Sequence, residues 1–268
     1  MIKNIKLFVN KNDKSIETAK LIREKLTQNG FVISDKNFDL GIAVGGDGSF
    51  LRMIKQNNFD SEPYYIGINS GTLGFLQEVK ANEIDIFVDE LKKEKYQIDK
   101  IGIQETIIKS NSYISKFPSF YSLNEIIVRD NNLKVVKLDI NIEGDLLEKF
   151  TGDGILISSS SGSTAHNLSY GGSIIYPTFS SLQITPMGPI NSKVYKSLVN
   201  SVIIPDKKEI TLIPEEGHRN LMITVDGENK TYNDVEYIST KIDNKKIKCL
   251  RLSHYNFPEK INEKLLTD

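Results

Sequence analysis

The sequence has no tryptophan and only one cysteine among its 268 residues. A single cysteine cannot form an intramolecular disulfide, and Cys249 lies in an apolar alternation with Ile247 and Leu250, which predicts a buried thiol. No window approaches the ~18 apolar residues of a membrane-spanning helix, and the N-terminus has no apolar stretch of signal-peptide length. We therefore expect a cytoplasmic protein with no membrane partner.

An excess of charge of either sign is also absent. Lys plus Arg number 34 against 35 Asp plus Glu, and no long run of one sign occurs. This balance argues against nucleic acid as a main partner. Hydrophobic residues make up 39% of the chain, as in ordinary globular proteins, and the length is comfortable for two domains.

The first part of the chain alternates strand and helix patterns. We predict strands at residues 5–9, 31–34, 40–44 and 64–69, and helices at residues 15–28, 49–57 and 82–95. Such alternation is typical of a parallel sheet with helices on its faces. We therefore predict a Rossmann-like parallel α/β domain over residues 1–97.

After residue 97 helical periodicity almost vanishes, and short β-branched runs alternate with turn residues. We predict strands at residues 98–109, 123–129, 135–142, 146–150, 155–158, 181–185, 202–204, 210–213 and 221–225. Hairpin turns are predicted at residues 131–132, 143–145 and 226–227. The fold class is therefore α/β + β: a C-terminal antiparallel β-sandwich-like domain over residues 98–252 follows the first, and we expect the tail, residues 253–268, to return to the first domain.

A glycine-rich loop follows the predicted strand at residues 40–44. Gly45, Gly46 and Gly48 can adopt positive φ and bring backbone N–H groups close to a phosphate, at the positive end of the next helix. Alternatively, the glycines serve only the geometry of a strand-to-helix turn. Asp47 favours a functional loop, because a carboxylate among phosphate-binding amides is costly unless a metal or a proton transfer uses it.

This loop resembles the nucleotide-handling loop of three kinase groups. They are the NAD kinases, the diacylglycerol and sphingosine kinases, and the phosphofructokinases, and the loop alone does not choose among them. Arg52 lies one helical turn beyond the loop, where it could meet a phosphate or be a solvated helix arginine.

Residues 151–172 form a second unusual stretch. Four serines, residues 158–161, run into Gly162-Ser163-Thr164 and a brief helical pattern, so hydroxyls and free N–H groups are expected to cluster where a helix begins. The alternative is a serine-rich surface loop. Its position directly after a predicted strand argues against disorder.

Four motifs in this order closely resemble bacterial NAD kinases over nearly the whole chain. They are Gly45-Gly46-Asp47-Gly48-Ser49, Leu123-Asn124-Glu125, Gly152-Asp153-Gly154 and Gly162-Ser163-Thr164-Ala165. The resemblance implies transfer of the γ-phosphoryl group of ATP, or a phosphoryl group of polyphosphate, to the 2′-hydroxyl of the adenosine ribose in NAD. It also implies Mg²⁺, or another divalent cation, together with ATP.

The resemblance assigns roles to individual residues. Asp47 would accept the hydroxyl proton, as a positioned carboxylate can, and Gly46 and Gly48 would present N–H groups to phosphate. Asn124 and Glu125 would bind a ribose diol, and Asp153 would lie near the nicotinamide end. The strip that lines the dinucleotide would comprise Thr164, Ala165, His166, Asn167, Leu168 and Ser169.

The chain departs from the family pattern at three places. Ser160 replaces a proline, which loosens the backbone before the loop, and His166 replaces a tyrosine while keeping a planar ring with hydrogen-bonding edges. Thr151 stands where an arginine or histidine is common. These departures put substrate affinity in question.

A later segment bears on assembly. Residues 187–195 resemble the family segment that reaches across a subunit interface, with Gly188 and Ile190 at the contacting positions. The resemblance implies a homo-oligomer, a tetramer with dihedral symmetry, whose sites are completed in trans. Alternatively, Ile190 is only a loop residue.

Two other functions remain open at this level. A diacylglycerol-type lipid kinase shares the glycine loop and the two-domain plan, but the Gly162-Ser163-Thr164-Ala165 strip argues against it. A dinucleotide-binding sensor without turnover would gain little from keeping Asp47. The sequence does not separate NAD from NADH, or ATP from polyphosphate.

Overall fold

The computed structural model describes residues 2–71, 74–112 and 118–267. The chain divides into two compact units, residues 1–101 with 246–268, and residues 102–245. It passes from one unit to the other within a strand on both occasions. The domain ranges predicted from the sequence have these crossings at residues 98 and 253.

The described residues form the following elements. The helices are α1 (Asp13–Gln28), α2 (Asp47–Gln56), α3 (Ile84–Lys92), α4 (His166–Ser169) and α5 (Phe257–Leu265). The strands are β1 (Asn4–Val9), β2 (Val32–Ile33), β3 (Leu40–Val44), β4 (Tyr64–Ile68), β5 (Tyr96–Ser110), β6 (Ser119–Ser122), β7 (Glu125–Asp130), β8 (Val136–Ile142), β9 (Asp145–Gly152), β10 (Gly154–Ser159), β11 (Ser181–Met187), β12 (Val202–Pro205), β13 (Ile210–Pro214), β14 (Leu221–Val225), β15 (Glu228–Tyr232) and β16 (Val235–Leu252). Short 3₁₀ turns occupy Ala81–Glu83 and Ser161–Thr164.

The first unit is built on a parallel sheet. Its strands lie in the order β2, β1, β3, β4 and the end of β16, each parallel to the next. Every residue of the central strand β3 is buried, since helices cover such sheets on both faces. Ile22 of α1 and Phe87 of α3 pack with Ile42 of β3 in one apolar cluster. Because β3 ends in this core, the loop that follows it is held at the carboxyl edge of the sheet.

The second unit contains antiparallel strands. One sheet has the order β12, β11, β10, β7, β14 and β15. A second set pairs the first half of β16 with β13, β8 and β9. Alternate residues of β10 reach a core shared by both sets, where Ile155 and Ile157 pack with Leu138, while Leu156 turns to the opposite face. A parallel α/β unit followed by an antiparallel β unit confirms the predicted fold class.

Some individual turns, helices and strands differ from those predicted from the sequence. The predicted turn at residues 131–132 is not a hairpin, because β7 and β8 belong to different sheets. In place of the helix predicted at residues 82–95, a 3₁₀ turn at Ala81–Glu83 is followed by α3, which ends at Lys92. Strand β16 was missed because the polar residues 243–246 interrupt its alternation, and α5 was missed although Asn256 caps it.

No helix among the described residues is long and apolar enough to cross a membrane.

Candidate active site

The glycine loop of the first unit has a geometry that requires glycine at one position. Gly45 has φ of +150°, and a Cβ there would overlap the Ser49 hydroxyl. Gly46 then caps α2, which begins at Asp47, two residues earlier than predicted. Asp47 and Gly48 therefore belong to the first helical turn, where backbone N–H groups lack helical partners and can meet an anion.

The Asp47 carboxylate is held by a neighbouring segment. Its two oxygens accept hydrogen bonds from the backbone N–H groups of Phe75, at 2.8 Å, and Leu76, at 2.9 Å. A Cβ at Gly74 would overlap this carboxylate. The plane of the carboxylate is thus fixed, while each oxygen keeps a further lone pair that could accept a substrate hydroxyl.

These contacts change the sequence-based interpretation of Asp47. We inferred a metal or a proton transfer because a carboxylate among phosphate-binding amides would otherwise be costly. The two backbone amides offset the cost of placing the carboxylate there, with no need for a metal or a proton transfer. Asp47 therefore also serves to fix residues 74–76. The sequence pattern did not predict a role for this segment, although Gly71 and Gly74 follow β4 closely. The carboxyl ends of neighbouring parallel strands share one edge, which could have indicated the pairing.

Arg52 lies over the same loop. One guanidinium nitrogen donates to Asn10 Oδ1 at 3.2 Å and to Ser49 Oγ at 3.1 Å. A Cβ on Gly48 would lie 3.5 Å from the other terminal nitrogen. A guanidinium has five N–H donors, so Arg52 is anchored at the loop and retains capacity for a phosphate.

A second polar group lies in the other unit, at the start of β7. The side chains of Asn124 and Glu125 are buried, with residues 7% and 3% exposed. Among the described residues, Asn124 Oδ1 and Glu125 Oε2 are buried atoms without a hydrogen-bond partner. Buried acceptors without partners are rare in folded proteins and indicate a place where a ligand or water belongs.

Asp226 positions this pair. Its carboxylate accepts hydrogen bonds from the backbone N–H groups of Leu123 and Asn124, both at 2.8 Å, and of Glu125, at 3.2 Å. Asp226 and Gly227 have φ of +45° and +85° between β14 and β15, which confirms the predicted hairpin turn. The hydrogen bonds from residues 123–125 to the Asp226 carboxylate were not predicted, because an Asp-Gly pair is already explained by the turn.

The Glu125 carboxyl has an altered acidity. Burial, with a further contribution from the negative charge of Asp226, raises the pKa of Glu125 to about 8. His166 Nδ1 lies 3.1 Å from Glu125 Oε1, on a ring that is largely exposed. Near neutral pH the carboxyl is therefore protonated in a large share of molecules, and can donate as well as accept hydrogen bonds.

The serine run leads into a brief helix, α4, as predicted, and the alternative of a serine-rich surface loop is wrong. The run is buried. The hydroxyls of Ser159 and Ser161 donate to the Leu123 carbonyl at 2.5 and 2.7 Å, and Ser163 donates to the Ile175 carbonyl at 3.2 Å. The helix that follows, α4, has four residues. These hydroxyls thus fix the backbone beside Asn124.

Ser160 was expected to loosen the backbone, but in the structure its backbone and side chain are both constrained. It has φ of −61°, the value that a proline ring would impose. Its hydroxyl donates to the Phe179 carbonyl and lies 3.0 Å from Ser181 Oγ. The side chain therefore supplies part of the constraint that a proline ring would supply.

The strip after the serines presents its residues unequally. Thr164, Ala165 and Leu168 are half-buried, while His166 and Ser169 are exposed. Asn167 is fully buried, and its amide donates to the carbonyls of Ser163 and Ser173 and accepts from Thr185 Oγ1 at 2.6 Å. Asn167 therefore stabilises the turn from inside rather than facing a ligand.

Asp153, Gly188 and Ile190 lie together. Gly188 has φ of +51°, and a Cβ there would overlap the Asp153 carboxylate, so glycine is required on both grounds. The Ile190 N–H donates to the Thr151 carbonyl at 2.8 Å, and the Ile190 side chain is half-buried. Thr151 thereby serves as a backbone anchor for this segment.

Solved structures share the fold of this chain. A yeast NADH kinase in complex with NADH superposes with a TM-score of 0.82 at 21% identity, covering 100% of this chain and 90% of that one. An NAD kinase from Archaeoglobus fulgidus in complex with ATP gives a TM-score of 0.74 at 18% identity, covering 98% of each chain. The fold is therefore that of the pyridine-nucleotide kinases.

Sequence comparisons then give the family. Residues 5–96 match the ATP-NAD kinase N-terminal domain, and residues 123–243 match the ATP-NAD kinase C-terminal domain. The NAD kinase of Finegoldia magna is 40% identical over an aligned length of 245 residues, covering 88% of this chain and 88% of that one. The NAD kinase of Streptococcus gordonii is 33% identical, covering 97% of this chain and 94% of that one. The chain belongs to the NAD kinase family, which confirms the resemblance drawn from its motifs.

Proposed function

We propose that the protein transfers the γ-phosphoryl group of ATP to the 2′-hydroxyl of the adenosine ribose in NAD, giving NADP and releasing ADP. Membership of the NAD kinase family supports the reaction. The observation that carries it is the pair of unpartnered buried acceptors, Asn124 Oδ1 and Glu125 Oε2, which suits the two hydroxyls of a ribose. Family membership also removes the reason to consider a lipid kinase.

Asp47 is proposed as the proton acceptor. A secondary hydroxyl is a poor nucleophile, and a carboxylate within hydrogen-bond reach takes its proton as the bond to phosphorus forms. The amides of Phe75 and Leu76 fix the orientation of the carboxylate. Pre-set orientation matters, because proton transfer requires the accepting oxygen to lie about 2.6–3.2 Å from the donor oxygen.

Asn124 and Glu125 are proposed to bind the ribose. An amide offers a donor and an acceptor, and Glu125, with its pKa raised to about 8, offers an acceptor and, when protonated, a donor. Each hydroxyl of a diol both donates and accepts, so this pair can satisfy two hydroxyls. A carboxylate fully ionised at neutral pH could only accept.

The remaining contacts follow the family pattern. Backbone N–H groups of Gly46 and Gly48, with Arg52, are proposed to bind phosphate. The Gly45 N–H donates to the Ile68 carbonyl at 3.0 Å, so Gly45 is proposed to shape the loop. Asp153 is proposed to bind near the nicotinamide end. The strip is proposed to line the dinucleotide through Thr164, Ala165, His166, Leu168 and Ser169, with Asn167 holding its backbone from within.

A divalent cation is proposed to accompany ATP rather than to reside in the protein. Among the described residues there is no group of three or more His, Cys, Asp or Glu side chains that could hold a metal. Magnesium is commonly bound through substrate phosphates and few protein ligands, where it neutralises the charge of the transferred group. Polyphosphate is proposed as the alternative donor.

We propose a cytoplasmic homotetramer as the working assembly, with no nucleic acid or membrane partner. The support is the resemblance of residues 187–195 to the family's interface segment. Glycine is required at Gly188, and Ile190 is half-buried beside it. Each Ile190 would contact a neighbour in the tetramer and complete its dinucleotide site.

The reaction is tested by incubating the purified protein with Mg²⁺, ATP and NAD and reading NADP with an NADP-specific dehydrogenase. We expect NADP to form, and the Asp47→Asn variant serves as the matched control. Parallel reactions with NADH and with polyphosphate measure the acceptor and donor preferences. NAD binding without NADP from either donor would overturn the kinase and favour a sensor.

A further inference from the structure

Helix α5 carries a lysine whose charge is buried. Lys260 is 6% exposed, and its ammonium donates to the Gln77 carbonyl at 2.6 Å and to the Phe75 carbonyl at 3.4 Å. The same Nζ lies 3.6 Å from Glu78 Oε2 and 5.0 Å from the Tyr255 ring centroid. A buried ammonium is costly unless it is paired and hydrogen-bonded, and here a carboxylate and two carbonyls supply that compensation.

The segment that Lys260 binds is the one that holds Asp47. Phe75 donates its N–H to the Asp47 carboxylate and accepts from Lys260 at its carbonyl. One peptide segment therefore connects the two side chains. Asp47 lies at the start of α2, and Lys260 comes more than two hundred residues later.

Other charges fix the ammonium in turn. Glu78 accepts from Arg251 at 3.2 Å through the oxygen that faces Lys260, and Arg251 also donates to Asp99 at 2.9 Å. The remaining Glu78 oxygen accepts from the Leu252 N–H at 3.1 Å. Burial, opposed by the charges of Glu78 and Asp47 and aided by that of Arg251, lowers the pKa of Lys260 to about 8.

We propose that Lys260 is a positioning residue that holds residues 75–77 in place, so that the Asp47 carboxylate keeps the orientation needed for proton transfer. This rests on the proposed function. Lys260 touches the reacting groups only through the segment. Its removal would let the amides of Phe75 and Leu76 shift, and a displacement of about 1 Å at a reacting group can cost 10²-fold in rate.

The test compares Lys260→Met with wild type and with Lys264→Met, a control on the same helix. We expect Lys260→Met to lower kcat about 10- to 100-fold while the KM for NAD stays within about twofold, since the ribose contacts lie elsewhere. Lys260→Arg keeps the charge and the donors and should recover most of kcat. Unchanged kcat in Lys260→Met would overturn the proposal.

A purely structural role is tested separately. Ile22→Val removes a buried methylene in α1 and lowers stability without touching residues 75–77. All rates are measured well below each midpoint of thermal unfolding. If Ile22→Val lowers kcat as much as Lys260→Met, Lys260 acts through stability and the proposal is wrong. Should Lys260→Met fail to fold, Lys260→Gln replaces it in the same comparison.

Amide hydrogen exchange provides a readout independent of turnover. Lys260→Met should speed exchange at Phe75 and Leu76 about tenfold or more, and leave exchange at Asn124 and Glu125 unchanged. Unaltered exchange at Phe75 and Leu76 would overturn the positioning role. If wild type makes no NADP while exchange responds as expected, the proposed function fails and the structural link from Lys260 to the segment stands.

Discussion

The two units treat their central carboxylates in opposite ways. Asp47 stands at the start of a helix with both oxygens accepting backbone N–H groups. Glu125 is buried at the start of a strand, with Oε1 near His166 and Oε2 unpartnered among the described residues. The first arrangement suits a group that must keep one orientation. The second suits a group that completes its hydrogen bonds with a ligand.

The supports of the two carboxylates differ as well. Asp47 is fixed by residues 75 and 76, which Lys260 holds in turn. Asn124 and Glu125 are fixed through their own backbone N–H groups by Asp226. In the first unit the protein positions the reactive side chain, whereas in the second it positions the backbone and leaves side-chain acceptors open. We therefore expect variants of the first unit to affect kcat and variants of the second to affect KM for NAD.

The largest effect is expected from Asp47→Asn. Loss of a positioned base should lower kcat about 10²- to 10⁴-fold. The amide NH₂ would also face one backbone donor, of Phe75 or Leu76, so the segment should loosen. Steady-state NADP formation measures the effect. Wild-type kcat in the purified variant would exclude Asp47 as the base.

Asn124→Ala should raise KM for NAD about tenfold, the usual order for a lost hydrogen bond to a ligand. Both ground and transition states lose the contact, so kcat should change much less. Initial rates over a range of NAD, at saturating ATP, separate the two constants. A lowered kcat with wild-type KM would show that Asn124 belongs to the chemical step.

Glu125→Gln tests the same comparison through pH. The pKa of Glu125 is raised to about 8 in the folded protein, so the folded state binds more protons than the unfolded state between about pH 4.5 and 8. The contribution of the Glu125 carboxyl to the free energy of unfolding of the wild type is therefore greatest at low pH, and it is lost as the pH rises toward 8. Burial and the negative charge of Asp226 both oppose ionisation of the carboxyl, and His166 Nδ1 faces it at 3.1 Å.

The measurement is the unfolding midpoint of both proteins from pH 5 to 9. Glutamine keeps the shape without a titrating proton, so the variant should gain several degrees on wild type across this range. A difference between the two midpoints that does not change with pH would contradict the raised pKa of Glu125.

His166→Tyr should have a smaller effect. It removes the ring nitrogen near Glu125 and restores the residue that the family pattern has at this place, so KM for NAD should change about two- to fivefold, the order of one altered contact. KM for ATP should stay at the wild-type value. Altered stability with both KM values unchanged would make His166 a packing residue.

Ile190→Asp is expected to change kinetics only through assembly. If the tetramer forms through residues 187–195, a buried charge there should shift the protein to smaller species and raise KM for NAD together. Light scattering gives the mass. A monomeric wild type, or a variant that retains both mass and KM, would contradict the proposed assembly.

Much of the fold follows from local pattern. A continuous apolar run, residues 40–44, followed by glycines predicted the buried strand, the loop and the helix of the first unit. Regular β-branched runs predicted most strands of the second. The long strand β16 was missed because its polar middle hides two apolar ends that pair in different units.

The site residues were predicted by resemblance, and their supports were not. Asp47 meets backbone N–H groups, which leave no mark in a sequence beyond a nearby glycine. Asp226 was predicted only as a turn residue. Its contacts with the backbone beside Asn124 were not predicted, because the two residues are about a hundred positions apart in the chain. No pattern in the sequence predicted a role for Lys260, since a lysine on an amphipathic helix is ordinarily solvated.

Equilibrium binding of NAD to Asp47→Asn and to Asn124→Ala tests the division of labour most directly. Calorimetry at one pH, with wild type as reference, gives the three dissociation constants without turnover. We predict that Asp47→Asn binds NAD within about threefold of wild type, and that Asn124→Ala binds about tenfold more weakly. Weak binding by Asp47→Asn with wild-type binding by Asn124→Ala would contradict the assignment of chemistry to the first unit and ribose recognition to the second.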